Sequence, residues 1–440
     1  MAPKRNIVII GNGVAGISCA RNIRKRSAEP ITIISSESKY FFSRTALMYL
    51  YMGHMKFENI KPYEDWFWEK NKLDLIQGHV SRVDTISKFL EMDNGEIIKY
   101  DVLVIATGSR TKKYGWPGQD ADGVAGLYSL QDLESITKTT SEITSAVIVG
   151  GGLIGVELAE MLHSKKINVT FLVREKHFWS GVLPVDEALM IGDHIAQHGI
   201  NMKYGTELKE IIAGEDGKVK SVITNTGEEI PCGFVGITTG VEPNVDFLSE
   251  SDIETDRGVL IDASFETTVP GVFAIGDCAQ FIKPVNNRKP VEQVWYTARM
   301  HGETLAQTIC GNKTAYNPGP WFNSAKFFDI EYQTYGDVSP KPLENEKQFF
   351  WRHPIKEILI RFAWDSQTNI CKGVNSFGIR LRHEMFDRWL SEKRDINYII
   401  DHLHEANFDP EFFERHEKNI RQAFYAHNKN VHPLKEKTYE

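Results

Sequence analysis

The stretch Asn6–Arg26, NIVIIGNGVAGISCARNIRKR, decides how the chain is read. Ile7, Val8, Ile9 and Ile10 form an unbroken aliphatic run, which predicts a strand buried on both faces rather than a half-exposed one. Gly11, Gly13 and Gly16 follow in the spacing Gly-x-Gly-x-x-Gly, and from Val14 and Ala15 onward the apolar residues recur at helical spacing. Each glycine has a physical task in such a unit. Gly11 permits the tight turn, Gly13 lets backbone approach a pyrophosphate, and Gly16 lets the helix sit close to the strand. The helix N-terminus then offers unpaired N–H groups and the positive end of its dipole to phosphate. A single loop of this kind is a weak signal, because strand–turn–helix units also carry glycines for packing alone.

The signal is strengthened by repetition. Gly150-Gly-Gly152-Leu153-Ile154-Gly155 again follows an apolar strand, SAVIV, and opens a helical segment that contains Glu157. Two loops in the same context read as an internal duplication of a nucleotide-binding unit. Around them, PITIISSE, YDVLVIATGS, INVTFLVRE and GITTGVEPN read as further strands, two of which end in Thr107-Gly108 and Thr239-Gly240. Strands alternating with helices predict parallel sheets with helices on their faces. In GVFAIGDCAQF, Asp277 stands just beyond a buried strand and after Gly276, where an aspartate held by its turn can accept hydrogen bonds from a polyhydroxyl chain. Beyond Pro318, Gly319 and Pro320 the character changes to the strand-like runs AKFFDIEYQTYG, KEILIRFAW and ICKGVNSFGI, then to a polar, helix-rich tail from about Arg382.

A chain of 440 residues exceeds the size of a single core, so two or three domains are expected. Hydrophobic content of 41% and charged content of 25% are those of a soluble globular protein. A net charge of −8 argues against nucleic acid or an anionic membrane surface as partner. No window approaches the roughly 18 apolar residues of a membrane span. MAPKRN runs straight into a strand without the apolar core of a signal peptide, and a cytoplasmic location is expected. Cys19, Cys232, Cys278, Cys310 and Cys371 form no CxxC or metal-ligand spacing, and His402 and His404 do not share a helical face. Neither a disulfide framework nor a metal site is expected.

The ordered set of glycine loop, ATG, second glycine loop, TGxxPN and GD resembles the pyridine nucleotide–disulfide oxidoreductase superfamily, over about Asn6 to Gly311. That resemblance implies an α/β fold of two nested Rossmann-like dinucleotide-binding domains plus an α+β C-terminal domain. Residues 1–112 and 241–315 would bind FAD, 113–240 would bind NAD(P)H, and 316–440 would form the interface domain of a homodimer. By the same resemblance, Gly11, Gly13, Val14, Ala15, Gly16, Thr107, Gly108, Gly276 and Asp277 meet FAD. Glu37 resembles the acid on the adenosine ribose, with Ser35 and Ser36 as alternative register positions, and the backbone of Val80 meets the adenine. Gly150, Gly152, Leu153, Ile154, Gly155 and Gly240 would hold the nicotinamide cofactor, with Glu157 beside the nicotinamide.

An NADH-specific fold closes its second strand with a carboxylate for the ribose hydroxyls. Here that position is Val173, followed by Arg174 and Glu175. A guanidinium pairs bidentately with a 2′-phosphate, so the sequence leans to NADPH; the competing reading has Glu175 serving NADH.

Sulfur-using members carry cysteine on the segment that here reads KYFFSRTALMYLYMG, and the position falls on Arg44. The segment resembles instead that of ferredoxin, rubredoxin and nitrite-reductase flavoproteins, with Thr45 in place of the usual proline and Tyr49 where some members have lysine. The implied activity is hydride transfer from NADPH or NADH to FAD, then electron release to an external acceptor, a ferredoxin- or rubredoxin-type protein. The alternatives are a small-molecule acceptor such as oxygen or a quinone, and a flavin-bearing interaction subunit of the apoptosis-inducing-factor type. Arg44 would bond the FAD phosphates or ribose, or else form an ion pair. EQVWYTARMHGETLAQTICG resembles the helix abutting the flavin, with Trp295 as the wall of the acceptor site. In the tail, Asp409 and Pro410 look like a helix start, with Phe412, Phe413, Ile420 and Phe424 as an apolar stripe. Arg380, Arg382, Arg388, Lys393 and Arg394 form a basic run that could steer an acidic partner or simply be solvated.

Overall fold

The strand Ile7–Ile10 lies in the middle of a five-stranded parallel sheet, in the order Val272–Ala274, Val102–Ile105, Ile7–Ile10, Ile31–Ser35, Leu73–Gln77. Its residues and those of Val102–Ile105 are all buried, as their unbroken aliphatic sequences require. From Ile7–Ile10 the chain winds first toward Leu73–Gln77 and returns on the other side at Val102–Ile105. The strand order therefore reverses beside the ends of these two strands, which is where a crevice opens in such sheets. The computed structural model describes residues 4–286, 288–409 and 411–427. The chain divides into two compact units, Met1–Leu172 with Thr206–Pro318, and Val173–Gly205 with Gly319–Glu440.

The first unit contains the arrangement twice. Ser145–Val149 pairs in parallel with Asn168–Val173 on one side and Phe234–Ile237 on the other, and Val124–Ala125 joins beyond Phe234–Ile237. Smaller antiparallel sheets, Val80–Asp84 with Phe89–Met92 and Ile97–Lys99, and Leu208–Ala213 with Val219–Thr224 and Glu229–Pro231, complete it. The expected α/β fold of duplicated dinucleotide-binding units is formed. Among the described residues no helix is long and apolar enough to cross a membrane.

In the second unit a five-stranded antiparallel sheet runs in the order Phe322–Phe327, Ile330–Gly336, Cys371–Phe377, Leu359–Asp365, Glu346–Arg352. The helices His383–Ser391 and Ile396–Asp401 bury Phe386, Trp389, Ile399 and Ile400 in the same core. Asp395 caps the second of these by accepting from the amides of Asn397 and Tyr398. The tail departs from the sequence reading. The carboxylate of Asp409 accepts from the Glu411 amide and its carbonyl accepts from Phe412 and Phe413, which closes a local turn in competition with a helix. The helix begins only at Glu417 and runs to His427, so Ile420 and Phe424 form its buried stripe while Phe412 is 81% exposed. Pro410 lies outside the described residues. The basic run is largely compensated: Arg380 pairs with Glu331, Arg382 with Glu384, Arg388 with Glu405 and Arg394 with Glu392. It is a mixed, paired face rather than a positive patch.

One buried ion pair ties this unit together. Arg361 donates from Nε to Glu187 Oε1 at 2.9 Å, from Nη2 to Asp186 at 2.7 Å and from Nη1 to Gln348 at 3.2 Å. Glu187 is fully buried, and burial pushes its carboxyl up to about 7 despite the guanidinium. Removing the cation alone leaves that carboxylate with only the 3.5 Å contact to the Asn375 amide. Arg361→Ala is expected to lower unfolding stability by about 3–5 kcal/mol, read as a shifted urea midpoint. An unchanged midpoint would show that the pair contributes nothing.

Candidate functional site

The first glycine loop turns at the end of Ile7–Ile10 in a space only glycine fits. Gly11 has φ +112°, and a Cβ there would lie 2.1 Å from the carbonyl oxygen of Ala106, at the end of the neighbouring strand. A Cβ on Gly16 would lie 2.1 Å from the Gly11 carbonyl. The second loop reproduces the pattern. Gly150 has φ +111° with Thr238 O 2.7 Å from its virtual Cβ, and Gly155 meets Phe171 at 2.5 Å and Gly150 O at 2.7 Å.

The middle glycines differ from their neighbours. Gly13 (φ −69°, ψ −177°) and Gly152 (φ −124°, ψ −175°) have extended backbones that any residue adopts, and a Cβ on either would meet nothing within 4 Å. Neither conformation nor internal packing requires glycine at these two positions. What remains is the close approach of something external to the fold. Both glycines are helix N-caps, for Val14–Arg24 and Leu153–Ser164, with no side-chain cap and no acidic residue in the first turn. Their first-turn N–H groups and positive dipole ends stand ready for an anion, and the open space suits a pyrophosphate. The residues present fit a dinucleotide at each loop.

Beside the first loop, several expected residues are drawn together by one that the sequence did not single out. Tyr128 Oη accepts from the Ser109 amide at 2.8 Å and donates to Asp277 Oδ2 at 3.2 Å. Its ring stacks under the Arg44 guanidinium, 4.5 Å from the centroid. Gly108, at φ +69°, lies so close that a Cβ would stand 2.7 Å from the Tyr128 hydroxyl. Arg44 donates to both carboxylate oxygens of Glu37, at 2.8 and 2.6 Å, and to the Tyr128 carbonyl. Glu37 also accepts from the Leu130 amide at 2.8 Å, so a ribose hydroxyl at Glu37 would share these oxygens with Arg44. Burial pushes the Asp277 carboxyl up to about 6 against the opposing pull of Tyr128 and Arg44, yet the residue keeps part of its surface accessible. Thr107 Oγ1 donates to Asn244 O at 2.7 Å, which joins the ATG and TGxxPN segments. Val80 opens its strand with a buried side chain, leaving only backbone for a ligand.

Behind the Gly276-Asp277 turn lies a buried polar chain. The Gly276 amide donates to His301 Nδ1 at 3.1 Å, so the ring proton belongs on Nε2, which faces Glu292 Oε2 at 3.4 Å. Glu292 also accepts from Tyr316 Oη at 2.9 Å and Arg288 at 3.1 Å. Burial holds the His301 imidazole below its ordinary value, which agrees with a neutral ring. His301 sits on the helix Trp295–Ile309, which packs so tightly on Val14–Arg24 that a Cβ on Gly302 would lie 2.4 Å from Ala15 O. Trp295 is the first residue of that helix, partly exposed and edge-on to Tyr296.

Near the second loop, Glu157 is partly exposed and has no hydrogen-bond partner among the described residues. Burial, and then Glu160, push its carboxyl up to about 7. Thr239 Oγ1 is buried without a partner beside Gly240, whose φ is +119° and whose virtual Cβ meets nothing. An orphaned hydroxyl and an open glycine again mark a face shaped for a ligand. In the second unit, Val173 is buried at the end of its strand, and Arg174, largely exposed, pairs with Glu175 at 3.0 Å.

The cysteines are all free, and Cys19, Cys232, Cys278 and Cys371 are buried. Cys278, next to Asp277, points its thiol at the carbonyls of Ile105 and Ile275, and burial pushes its pKa up. No disulfide joins any of the cysteines.

Duplicated phosphate cradles, with a GD turn at the first and an unpaired carboxyl at the second, define a protein that binds a pair of dinucleotides. The chain belongs to the pyridine nucleotide-disulphide oxidoreductase family, whose model matches residues 5–302. It is an FAD-dependent NAD(P)H oxidoreductase without a redox-active disulfide. It is 28% identical to rhodocoxin reductase of Rhodococcus erythropolis, over 73% of this chain and 76% of the relative. It is 30% identical to monodehydroascorbate reductase of Pisum sativum, over 75% of this chain and 82% of the relative. Among solved structures, a NAD-dependent persulfide reductase from A. fulgidus superposes with TM-score 0.83 at 22% identity, covering 99% of this chain and 88% of that one, a likeness of fold.

Gly13→Val separates ligand approach from folding. The variant is expected to keep native far-ultraviolet dichroism while losing at least about tenfold in FAD affinity, measured as flavin retained on dialysis. Full flavin retention would mean that Gly13 does not face the cofactor.

Proposed function

We propose that the chain carries electrons from NAD(P)H by way of FAD to a separate acceptor, with a small iron–sulfur protein of ferredoxin or rubredoxin type as the leading partner. The observation that carries this reading is Arg44. It stands where sulfur-using members place cysteine, and it is engaged by Glu37 and Tyr128 rather than by any thiol. Reducing equivalents therefore have no protein sulfur to pass through. Relatives named for such partners support the choice, among them a ferredoxin–NAD(P)+ reductase of Sphingomonas sp and a rubredoxin–NAD+ reductase of Ectopseudomonas oleovorans.

FAD, when bound, supplies the chemistry of accepting a hydride from nicotinamide and yielding electrons onward. The chain's own residues would bind and orient. The Gly11–Gly16 and Gly150–Gly155 loops would hold the pyrophosphates on their helix N-termini. Thr107, Gly108, Gly276 and Asp277 would line the flavin chain, with Asp277 accepting from its hydroxyls. Glu157 would bond the nicotinamide carboxamide, and Gly240 with Thr239 would face the same cofactor. Trp295 would form one wall of the acceptor site and help exclude water. Arg174 would pair with a 2′-phosphate, favouring NADPH. A homodimer through residues 316–440 and a cytoplasmic location belong to the same reading, by likeness to the family.

A second reading, a small-molecule acceptor, is favoured by the 30% identity to monodehydroascorbate reductase of Pisum sativum. Anaerobic mixing with NADPH is expected to bleach the flavin, and turnover is then compared on addition of ferredoxin, rubredoxin, quinones, oxygen or monodehydroascorbate. Stimulation by the iron–sulfur carriers upholds the first reading. Stimulation only by small molecules upholds the second, and a flavin that stays oxidised in NADPH would point to a flavin-bearing interaction subunit. Arg174→Glu is expected to raise the KM for NADPH by about tenfold more than that for NADH. Equal changes would remove the argument for NADPH.

A further inference from the structure

We propose that His194, His198 and Asp329 form a divalent-cation site, best suited to zinc, in which Glu357 orients His194. The site lies within the second unit and is separate from the residues read above as binding dinucleotides. His194 lies in the last turn of the helix Val185–Gln197, and His198 follows one turn later as its C-cap. Residues four apart on a helix share a face, which is how an i, i+4 histidine pair converges on one ion. Asp329 comes from the tight turn between the strands Phe327 and Ile330 bound. One ligand atom from each of the three lies within 4.8 Å of the others.

The case rests on how the ligand atoms converge. His198 Nδ1 is 2.9 Å from the carbonyl oxygen of His194, an atom with only lone pairs, so Nδ1 carries the proton. Its Nε2 faces Asp329 Oδ1 at 3.7 Å. His194 Nδ1 faces the Glu357 carboxylate, which likewise draws the proton to Nδ1. His194 Nε2 is hydrogen-bonded to Asp329 Oδ1, 2.6 Å away. Both Nε2 atoms thus face the same carboxylate oxygen, and a cation entering between them would take the place of the His194–Asp329 hydrogen bond.

The surroundings agree with a metal. The His194 side chain is 5% exposed, and its Nδ1 lacks a hydrogen bond of good geometry, while the carboxylate behind it supplies the partner that fixes a ligating ring's tautomer. His198 is held by stacking on Phe328, with ring centroids 4.3 Å apart. Asp329 is 77% exposed and can draw back to the roughly 2 Å metal–ligand lengths of zinc, leaving a fourth position for water. Two imidazoles with one carboxylate favour zinc or its first-row neighbours over calcium or magnesium, which prefer oxygen throughout.

The test uses the tag-free, full-length flavoprotein, stripped with chelator and dialysed against buffered zinc, with bound metal measured by mass spectrometry. One zinc per chain is expected. His198→Gln and Asp329→Asn, both at sites with exposed surface, should each weaken binding by about 100-fold or more, and Glu357→Gln by about 10-fold, as for loss of an outer-shell partner. FAD content and thermal midpoint in chelator report whether each variant is folded. No zinc uptake by the parent protein, or uptake equally tight in His198→Gln and Asp329→Asn, would overturn the proposal.

Discussion

The structure depends on the contact between a turning strand end and the end of its neighbour. At Gly11 the backbone passes so near the Ala106 carbonyl that no side chain fits, and at Gly150 it passes the Thr238 carbonyl in the same way. Each contact fixes where a helix N-terminus emerges at the reversal of strand order. Because the first turn lies at the ends of the fully buried strands Ile7–Ile10 and Val102–Ile105, the phosphate cradle inherits the rigidity of the core. The middle glycine of each loop is left facing open space, which the chain itself does not use.

Around this frame the polar residues act as positioning devices. Tyr128 joins Asp277, Ser109 and Arg44, and Arg44 in turn occupies Glu37. On the far side, Arg288, Glu292 and His301 lead to the Gly276 amide and so support the turn that presents Asp277. Burial alone would raise the Glu292 carboxyl; His301 and Arg288 hold it below its ordinary range instead. Asp277 itself is pushed up, so a ligand that donates hydrogen bonds to it would favour its charged form.

The parts of the fold legible from sequence were those written in local pattern. Aliphatic runs gave the buried strands, and glycine spacing gave the loops, because both signals lie within a dozen residues. Tyr128, His301, Glu292 and Gly302 were missed because their partners lie far along the chain: Tyr128 reaches Asp277, His301 reaches Gly276, and Gly302 is explained by Ala15, Ser18 and Cys19. The Arg361–Glu187 pair was hidden for the same reason. In the tail the helical spacing extends back to Asp409 in the sequence, but the Asp409 side chain closes its own turn and the helix starts at Glu417. The basic run left a steering patch and a solvated face equally open, because two of its pairing acids, Glu331 and Glu405, lie far from it in sequence.

The central claim is that reducing equivalents cross this protein through the flavin without a thiol. An anaerobic reductive titration of the purified flavoprotein measures it most directly. Full reduction is predicted to consume one two-electron equivalent per bound FAD, with Arg44 in the place of a sulfur. Uptake of a second two-electron equivalent per FAD, accompanied by newly titratable thiols, would contradict it.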